Sequence, residues 1–237
     1  MLKGNPAGKL LNRINPQKWR SDMKVLAVNG SPRKKWNTAT MLEHALKGAA
    51  SKGAETELIH LYDLSFKGCT SCFACKMLDG KSLGKCGYKD ALTPILQKVE
   101  EADALILGSP IYFGLETGEL RSFMERLLFQ YLQYAIPPKI LFDKKMKTGF
   151  IYTMNVPEAA MKNIGYEDHF KSNQQVMSMV FGNSEYIASY ETLQFEDFSK
   201  VESSMFDIPQ RIKRREEIFP LDCAKSYEMG AKFAEPN

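Results

Sequence analysis

Short apolar runs alternate with stretches of helical periodicity along the chain. The first run, residues 25–28, lies between polar neighbours and is typical of a strand buried in a parallel sheet. Apolar residues at helical spacing follow from about residue 38 to 52, where Gly53 is placed to end a helix. Residues 55–61 suit a second strand. Strand, helix and strand in this order begin a doubly wound sheet.

The alternation continues to about residue 193 and predicts an α/β fold. Further strands are expected over 102–108, 147–154 and 186–193, and further helices over 92–101, 118–130 and 167–182. We expect these elements to form a domain over residues 23–193. A cysteine-rich loop at 66–88 and an aromatic insertion at 129–146, which suits a dimer contact or a ligand lid, interrupt its pattern.

Two segments flank this predicted domain. Residues 1–22 are expected to be an N-terminal extension, either a packed arm or an unstructured tail. Residues 194–237 are expected to be a C-terminal charged tail and a helix near 221–233, because 211–217 holds six charged residues in seven.

The composition is typical of a globular protein, with 44% hydrophobic and 25% charged residues. A net charge of +4 does not by itself indicate nucleic-acid binding. We find no apolar run long enough to cross a membrane and no signal peptide, so a cytoplasmic location without membrane association is expected. In that compartment the five cysteines are more typical of metal or redox sites than of disulfides.

A polar loop joins the first predicted strand to the first helix. Ser31 and Arg33 lie in it, and Asn37 and Thr38 stand at the helix start. Free backbone N–H groups and the positive end of the helix dipole would point into this loop and favour an anion, best a phosphate. The alternative is an ordinary turn in which Asn37 or Thr38 caps the helix.

Four of the five cysteines fall within 18 positions: Cys69, Cys72, Cys75 and Cys86. Clustered thiolates can share a metal centre, either a [4Fe–4S] cluster or a structural zinc ion. The compact C-x2-C-x2-C spacing favours iron–sulfur, because zinc sites usually use two separated C-x2-C pairs. Free thiols are the alternative.

A second candidate loop follows the third predicted strand. It contains five successive residues: Pro110, Ile111, Tyr112, Phe113 and Gly114. Ligands of open α/β sheets bind beyond the carboxyl ends of the strands, so a planar aromatic ligand would lie here. Otherwise the aromatic side chains would cap the core. The end of the fourth strand, near Asn155, should form a third ligand loop.

Together, the two loops resemble those of the flavodoxin-like NADPH-dependent FMN reductases over residues 24–193. The C-x2-C-x2-C motif is similar to that of the iron–sulfur flavoproteins, a branch of that superfamily. The resemblance implies a flavodoxin-like, doubly wound sheet of five parallel strands in the order 2-1-3-4-5. It implies that the FMN phosphate is held by Ser31, Arg33, Asn37 and Thr38, that residues 110–114 line the ring with Asn155 at its polar edge, and that the cluster ligands are Cys69, Cys72, Cys75 and Cys86.

Three functions remain open on this basis. The first is an FMN-dependent oxidoreductase that moves electrons between NAD(P)H, or a small electron-carrier protein, and an acceptor through a [4Fe–4S] cluster. The second is a cluster-free NAD(P)H:FMN or quinone reductase. The third is a non-enzymatic flavin-binding electron carrier or a zinc-stabilised interaction module. The resemblance also implies a homodimer or homotetramer, and it demands no catalytic side chain.

Overall fold

The structure, a computed structural model, describes residues 23–235, so the predicted N-terminal extension lies outside the described residues. Its central sheet contains five parallel strands: β1 (Lys24–Asn29), β2 (Glu55–His60), β3 (Ala104–Tyr112), β4 (Lys147–Thr153) and β5 (Ser184–Ser189). Their spatial order is β2-β1-β3-β4-β5, and each neighbouring pair is parallel. The predicted flavodoxin-like sheet is confirmed.

Three further strands of residues 23–235 have only two residues each. Leu115–Glu116 pairs antiparallel with the end of β3 and forms a hairpin there. Leu132–Gln133 pairs with Lys139–Ile140 in a separate ribbon, which lies within the predicted aromatic insertion.

Helices cover both faces of the sheet. They are α1 (Asn37–Ser51), α2 (Thr93–Glu101), α3 (Gly118–Phe129), α4 (Glu158–Met161), α5 (Tyr166–Phe181), α6 (Ile208–Glu217) and α7 (Phe219–Phe233). Buried residues of α1 and α7 form one core layer, and those of α2, α3 and α5 form the other. Val25 and Ala27 face the first layer, whereas Leu26 and Val28 face the second, because successive strand side chains point to opposite faces.

β3 and β5 end at other residues than the sequence predicts. β3 continues to Tyr112 because it pairs with β4 as far as Pro110 and then with the hairpin strand. β5 ends at Ser189 instead of residue 193. Its register with β4 ends at the pair Thr153–Ser189, so both strands stop together.

The segment predicted as a charged tail is helical. Asp207 begins α6 by accepting a hydrogen bond from the Gln210 backbone N–H at 3.0 Å. Helix α7 then packs along α1 and buries Phe219, Met229 and Phe233 in the core layer of that helix. Residues 219–233 therefore share a core with the sheet. Within residues 23–235, no helix has the length and apolar character that crossing a bilayer requires.

Helices α1 and α7 approach closely at glycines. A Cβ atom built at Gly230 would lie 1.7 Å from the carbonyl oxygen of Ala45, and one at Gly48 would lie 1.9 Å from that of Tyr227. The helix backbones are therefore in direct contact at both positions.

We expect Gly230→Ala to lower the free energy of unfolding by about 3 kcal/mol, because its methyl group would overlap a backbone carbonyl of α1. Gly118→Ala is the matched control, since a Cβ at Gly118 meets no atom within 4 Å. Urea unfolding of both variants measures the difference. Equal stability of the two variants would contradict the close approach.

Candidate functional site

The loop after β1 is shaped by its own polar groups. Asn29 Oδ1 accepts a hydrogen bond from the Ser31 N–H at 3.0 Å, and Ser31 Oγ accepts one from the Arg33 N–H at 3.1 Å. The Gly30 N–H donates to the carbonyl of Gly108 on β3 at 2.8 Å. These bonds fix the loop against the neighbouring strand.

Helix α1 begins without a side-chain cap. Its N-cap residue is Trp36, which makes no capping hydrogen bond, so the alternative of a cap by Asn37 or Thr38 is wrong. Asn37, Thr38 and Ala39 are buried, and within residues 23–235 no hydrogen bond satisfies their backbone N–H groups. Unpaired buried N–H groups are rare. This helix end therefore offers free, buried donors that suit an anion.

Two predicted phosphate residues contact the segment after β5. Arg33 Nη1 donates to the carbonyl of Gln194 at 2.6 Å, and Asn37 Nδ2 donates to that of Leu193 at 2.9 Å. Asn37 Oδ1 accepts from Arg215 Nη1 of α6 at 2.7 Å. The sequence carries no local signal for these contacts, because the partners are 156 or more positions apart.

Threonine hydroxyls connect the three loops at the carboxyl edge of the sheet. Thr38 Oγ1 lies 2.8 Å from Thr153 Oγ1, which joins the start of α1 to the end of β4. Thr117 Oγ1 donates to the carbonyl of Gly30 at 2.6 Å and joins α3 to the loop after β1. Asn155 follows two residues after β4. The predicted phosphate and ring residues thus share one edge of the sheet.

The aromatic residues of the loop after β3 do not cap the core, so that alternative is wrong. Tyr112 is 48% exposed and Phe113 is fully exposed, at 105%. Pro110 and Ile111 lie just before them at the end of β3. Phe113 and Gly114 both have positive φ angles, of 51° and 91°. A left-handed phenylalanine is strained, and the turn presents its ring to the outside.

A buried carboxylate fixes the hairpin that follows this loop. Glu116 accepts a hydrogen bond from Asn173 Nδ2 at 2.6 Å, and His169 Nε2 lies 3.0 Å from both of its oxygens. Arg121 Nη1 lies 3.7 Å away. These partners belong to α3 and α5, so the hairpin is held against both helices.

The four predicted cluster ligands line one cavity: Cys69, Cys72, Cys75 and Cys86. Ser71 and Phe73, which lie between them, have positive φ angles of 53° and 56°. Such strained non-glycine residues persist where the surrounding structure demands them. Within residues 23–235, no group of three or more Cys, His, Asp or Glu side chains is arranged to hold a single metal ion.

Helix α3 contacts this cysteine loop along its C-terminal half. Glu125 Oε2 accepts a hydrogen bond from the Cys69 N–H at 3.1 Å, and Gln130 Oε1 accepts one from the Cys86 N–H at 2.9 Å. Lys76 Nζ donates to the carbonyls of Phe129 and Leu132 at the end of the helix. The loop is therefore attached to α3 near its first and last cysteines.

The buried Arg126 forms hydrogen bonds with residues at both ends of the cysteine loop. Its guanidinium donates to the Lys67 carbonyl at 3.2 Å, the Tyr88 carbonyl at 2.8 Å, Asp90 Oδ2 at 2.6 Å and Cys86 Sγ at 3.4 Å. Burial alone would lower the pKa of Arg126, but the hydrogen bonds to Asp90 and Cys86 raise it above its usual value. The guanidinium is thus a fixed positive charge beside a candidate ligand.

Comparison with known proteins settles the family. The family described as NADPH-dependent FMN reductase matches residues 23–149, which is more than half of the chain. The chain belongs to this family. The matched range of this FMN reductase family member contains both loops and all four clustered cysteines, whereas Asn155 lies beyond it.

Individual relatives agree with this placement. An iron–sulfur flavoprotein of Methanocaldococcus jannaschii is 42% identical over 127 residues, which cover 54% of this chain and 59% of that protein. The chain spans about half the length of the curated relatives it matches. An NAD(P)H:quinone oxidoreductase from Methanothermobacter marburgensis superposes with a TM-score of 0.68 at 14% identity, over 89% of this chain and 98% of that one. An FMN-dependent NADH-azoreductase from Bacillus anthracis, in complex with FMN, gives 0.60 at 11% identity, over 90% of this chain and 100% of that one. These superpositions support the fold.

Thiol exposure gives a direct test of the cysteine positions. Cys69 and Cys72 are exposed, whereas Cys223 of α7 is buried, and burial raises its pKa to about 11. Only the thiolate reacts, so a raised pKa slows alkylation near neutral pH. In iron-free protein we expect Cys69 and Cys72 to be alkylated at least ~100-fold faster than Cys223 at pH 8.

The Cys223 rate should rise about tenfold per pH unit between pH 7 and 9, because the thiolate fraction grows with pH below the pKa. Mass spectrometry of the alkylated peptides measures both rates. Equal labelling of Cys223 and Cys69 at pH 8 would show that the Cys223 thiol is not buried.

Proposed function

We propose that this protein is an FMN-dependent oxidoreductase that moves electrons between NAD(P)H, or a small electron-carrier protein, and an acceptor by way of a [4Fe–4S] cluster. The observation that carries the proposal is the position of α3. Its N-terminus follows the exposed aromatic loop, and its C-terminal half contacts the cavity that all four cysteines line. Arg126 lies eight residues after Gly118, which is ~12 Å along an α-helix.

The residues present suit FMN. The buried N–H groups at the start of α1 have no partner within the described residues, and Ser31 and Thr38 place hydroxyls beside them. We propose that these groups hold the phosphate and that Tyr112 and Phe113 contact the ring. Asn155 remains the proposed contact to its polar edge. When bound, the flavin would accept a hydride and release electrons singly.

The existing hydrogen bonds of Arg33 and Asn37 limit what these two side chains can give to a phosphate. The polar groups of Arg33 and Asn37 already contact the segment after β5. We therefore propose that Arg33 contributes its positive charge, and that Asn37 contributes its backbone N–H.

We propose that the cysteine cavity holds a [4Fe–4S] cluster and not a single zinc ion. A zinc site needs four ligands within about 2.3 Å of one point, and no group of three candidate ligands in residues 23–235 is arranged that way. A [4Fe–4S] cluster binds each cysteine through a different iron, so its four ligands stand further apart. Two further facts support the cluster: the buried positive charge of Arg126, and the names of relatives called iron–sulfur flavoproteins.

We also propose that the protein forms a homodimer or homotetramer. A groove of about 490 Å³ runs between α3 and α5. Its apolar lining includes Met124, Leu128, Val176 and Met179, of which Val176 and Met179 are exposed. A second copy of the chain would remove this apolar surface from water.

Cofactor analysis of protein purified without oxygen tests the function. We expect one FMN, with about four irons and about four sulfides per chain. We also expect NAD(P)H to reduce the flavin. Cys86→Ser should lose most of the iron, whereas Cys223→Ser, the matched control outside the cavity, should keep it. Flavin without iron, even after anaerobic reconstitution, would favour the cluster-free reductase.

Flavin titration tests the phosphate site separately. Thr38→Val removes a buried hydroxyl at the start of α1, which can accept a hydrogen bond from Thr153 Oγ1 and still donate to a phosphate. We expect this variant to raise the Kd for FMN about tenfold, because a hydrogen bond to a charged group is lost. Thr148→Val is the matched control: its buried hydroxyl donates to the Asn183 carbonyl at the other end of β4. Equal affinities of the two variants would place the phosphate elsewhere.

A further inference from the structure

We propose that Arg126 and Gln130 are positioning residues that donate hydrogen bonds to the sulfur atoms of the cluster site and raise its reduction potential. Arg126 would donate to the thiolate of Cys86, and Gln130 to a sulfur inside the cavity. This inference rests on the proposed function, since it requires a cluster in the cysteine cavity.

Gln130 has a buried amide N–H group that meets no acceptor at ordinary hydrogen-bond geometry. Its side chain lines the cavity together with all four cysteines, and the residue is 2% exposed. Oε1 is fixed by the N–H of Cys86 at 2.9 Å, so Nε2 occupies the other position of the amide. Within residues 23–235, Nε2 is buried and makes no hydrogen bond that meets ordinary distance and angle limits. The Tyr131 hydroxyl is a neighbouring acceptor, but it can accept from only one of the two N–H groups of the amide. A buried amide N–H group without an acceptor is costly, and a sulfur atom in the cavity would satisfy it.

Arg126 directs a donor at the thiol of Cys86. Its Nη1 and Nη2 are held by Asp90 and by the carbonyls of Lys67 and Tyr88. The guanidinium is planar and only about 2% of the residue is exposed, so the bonds at Nη1 and Nη2 also fix the direction of Nε. Nε lies 3.4 Å from Cys86 Sγ. Arg126 thus supplies both a hydrogen bond and a positive charge.

The two residues act from the same face of one helix. They are four positions apart on α3 and its C-cap, which places their side chains next to each other. One contacts the side chain of Cys86 and the other contacts its backbone N–H, so both also orient this ligand. Cys86 follows the long gap in the cysteine pattern and depends most on such support.

The expected effect is electrostatic. A cluster held in this cavity would carry one more negative charge when reduced, and its bonds to the cysteines would stay intact. Donors and positive charge around the sulfurs stabilise the more negative reduced form. Removing either donor should therefore lower the reduction potential.

Redox titration followed by EPR tests the inference. We expect Gln130→Met and Arg126→Lys each to lower the midpoint potential of the cluster. The lysine variant keeps the positive charge, so its shift reports the lost Nε donor. Arg121→Lys, on the same helix and in contact with Glu116 and Asn173 instead of a cysteine, is the matched control and should leave the potential unchanged. Unchanged potentials in Gln130→Met and Arg126→Lys variants that retain four irons would overturn the inference.

A second measurement needs no substitution. Pulsed EPR of the reduced wild-type protein, labelled with ¹⁵N in arginine or in the glutamine side chain, should show a nitrogen coupling to the cluster in each sample. Absence of both couplings in iron-replete protein would overturn the inference and leave the proposed function intact. Wild-type protein without iron and sulfide would contradict both the inference and the proposed cluster function.

Discussion

Helix α3 is held at both ends by the loops that carry the candidate sites. At its start, Thr117 Oγ1 accepts a hydrogen bond from the Leu120 N–H and donates to the carbonyl of Gly30 in the loop after β1. At its end, Lys76 from the cysteine loop donates to the Phe129 carbonyl, where a cation also meets the negative end of the helix dipole. The distance between the candidate phosphate loop and the cysteine cavity is therefore set by one rigid element.

Two of the buried charged side chains within residues 23–235, Arg126 and Glu116, lie at or next to the same helix. Arg126 pairs with Asp90 at 2.6 Å, and Glu116 is surrounded by donors from α3 and α5. Removing such groups from water costs several kcal/mol per ion unless each is paired and hydrogen-bonded. Both charges meet this condition only in one arrangement of the loops against α3. These buried charges therefore fix the positions of the loops more than they add to the free energy of unfolding.

The sequence was sufficient to predict the sheet, because strands buried on both faces give continuous apolar runs. It was also sufficient to propose the candidate ligands, because the clustered cysteines are local in sequence. It was not sufficient for groups whose partners are distant. Gln130 meets Cys86 across 44 positions, and Arg215 meets Asn37 across 178. The end of β5 was also missed, since it depends on the length of β4 and not on its own residues. The candidate ligands could thus be proposed from the sequence, but the side chains that contact them could not.

Anomalous diffraction at the iron absorption edge, from crystals of the FMN-loaded protein grown without oxygen, tests the central claim most directly. We expect one strong iron peak per chain inside the cavity that Gln130 and the four cysteines line, and a flavin phosphate at the start of α1. An iron peak elsewhere, or a flavin phosphate away from α1, would contradict it.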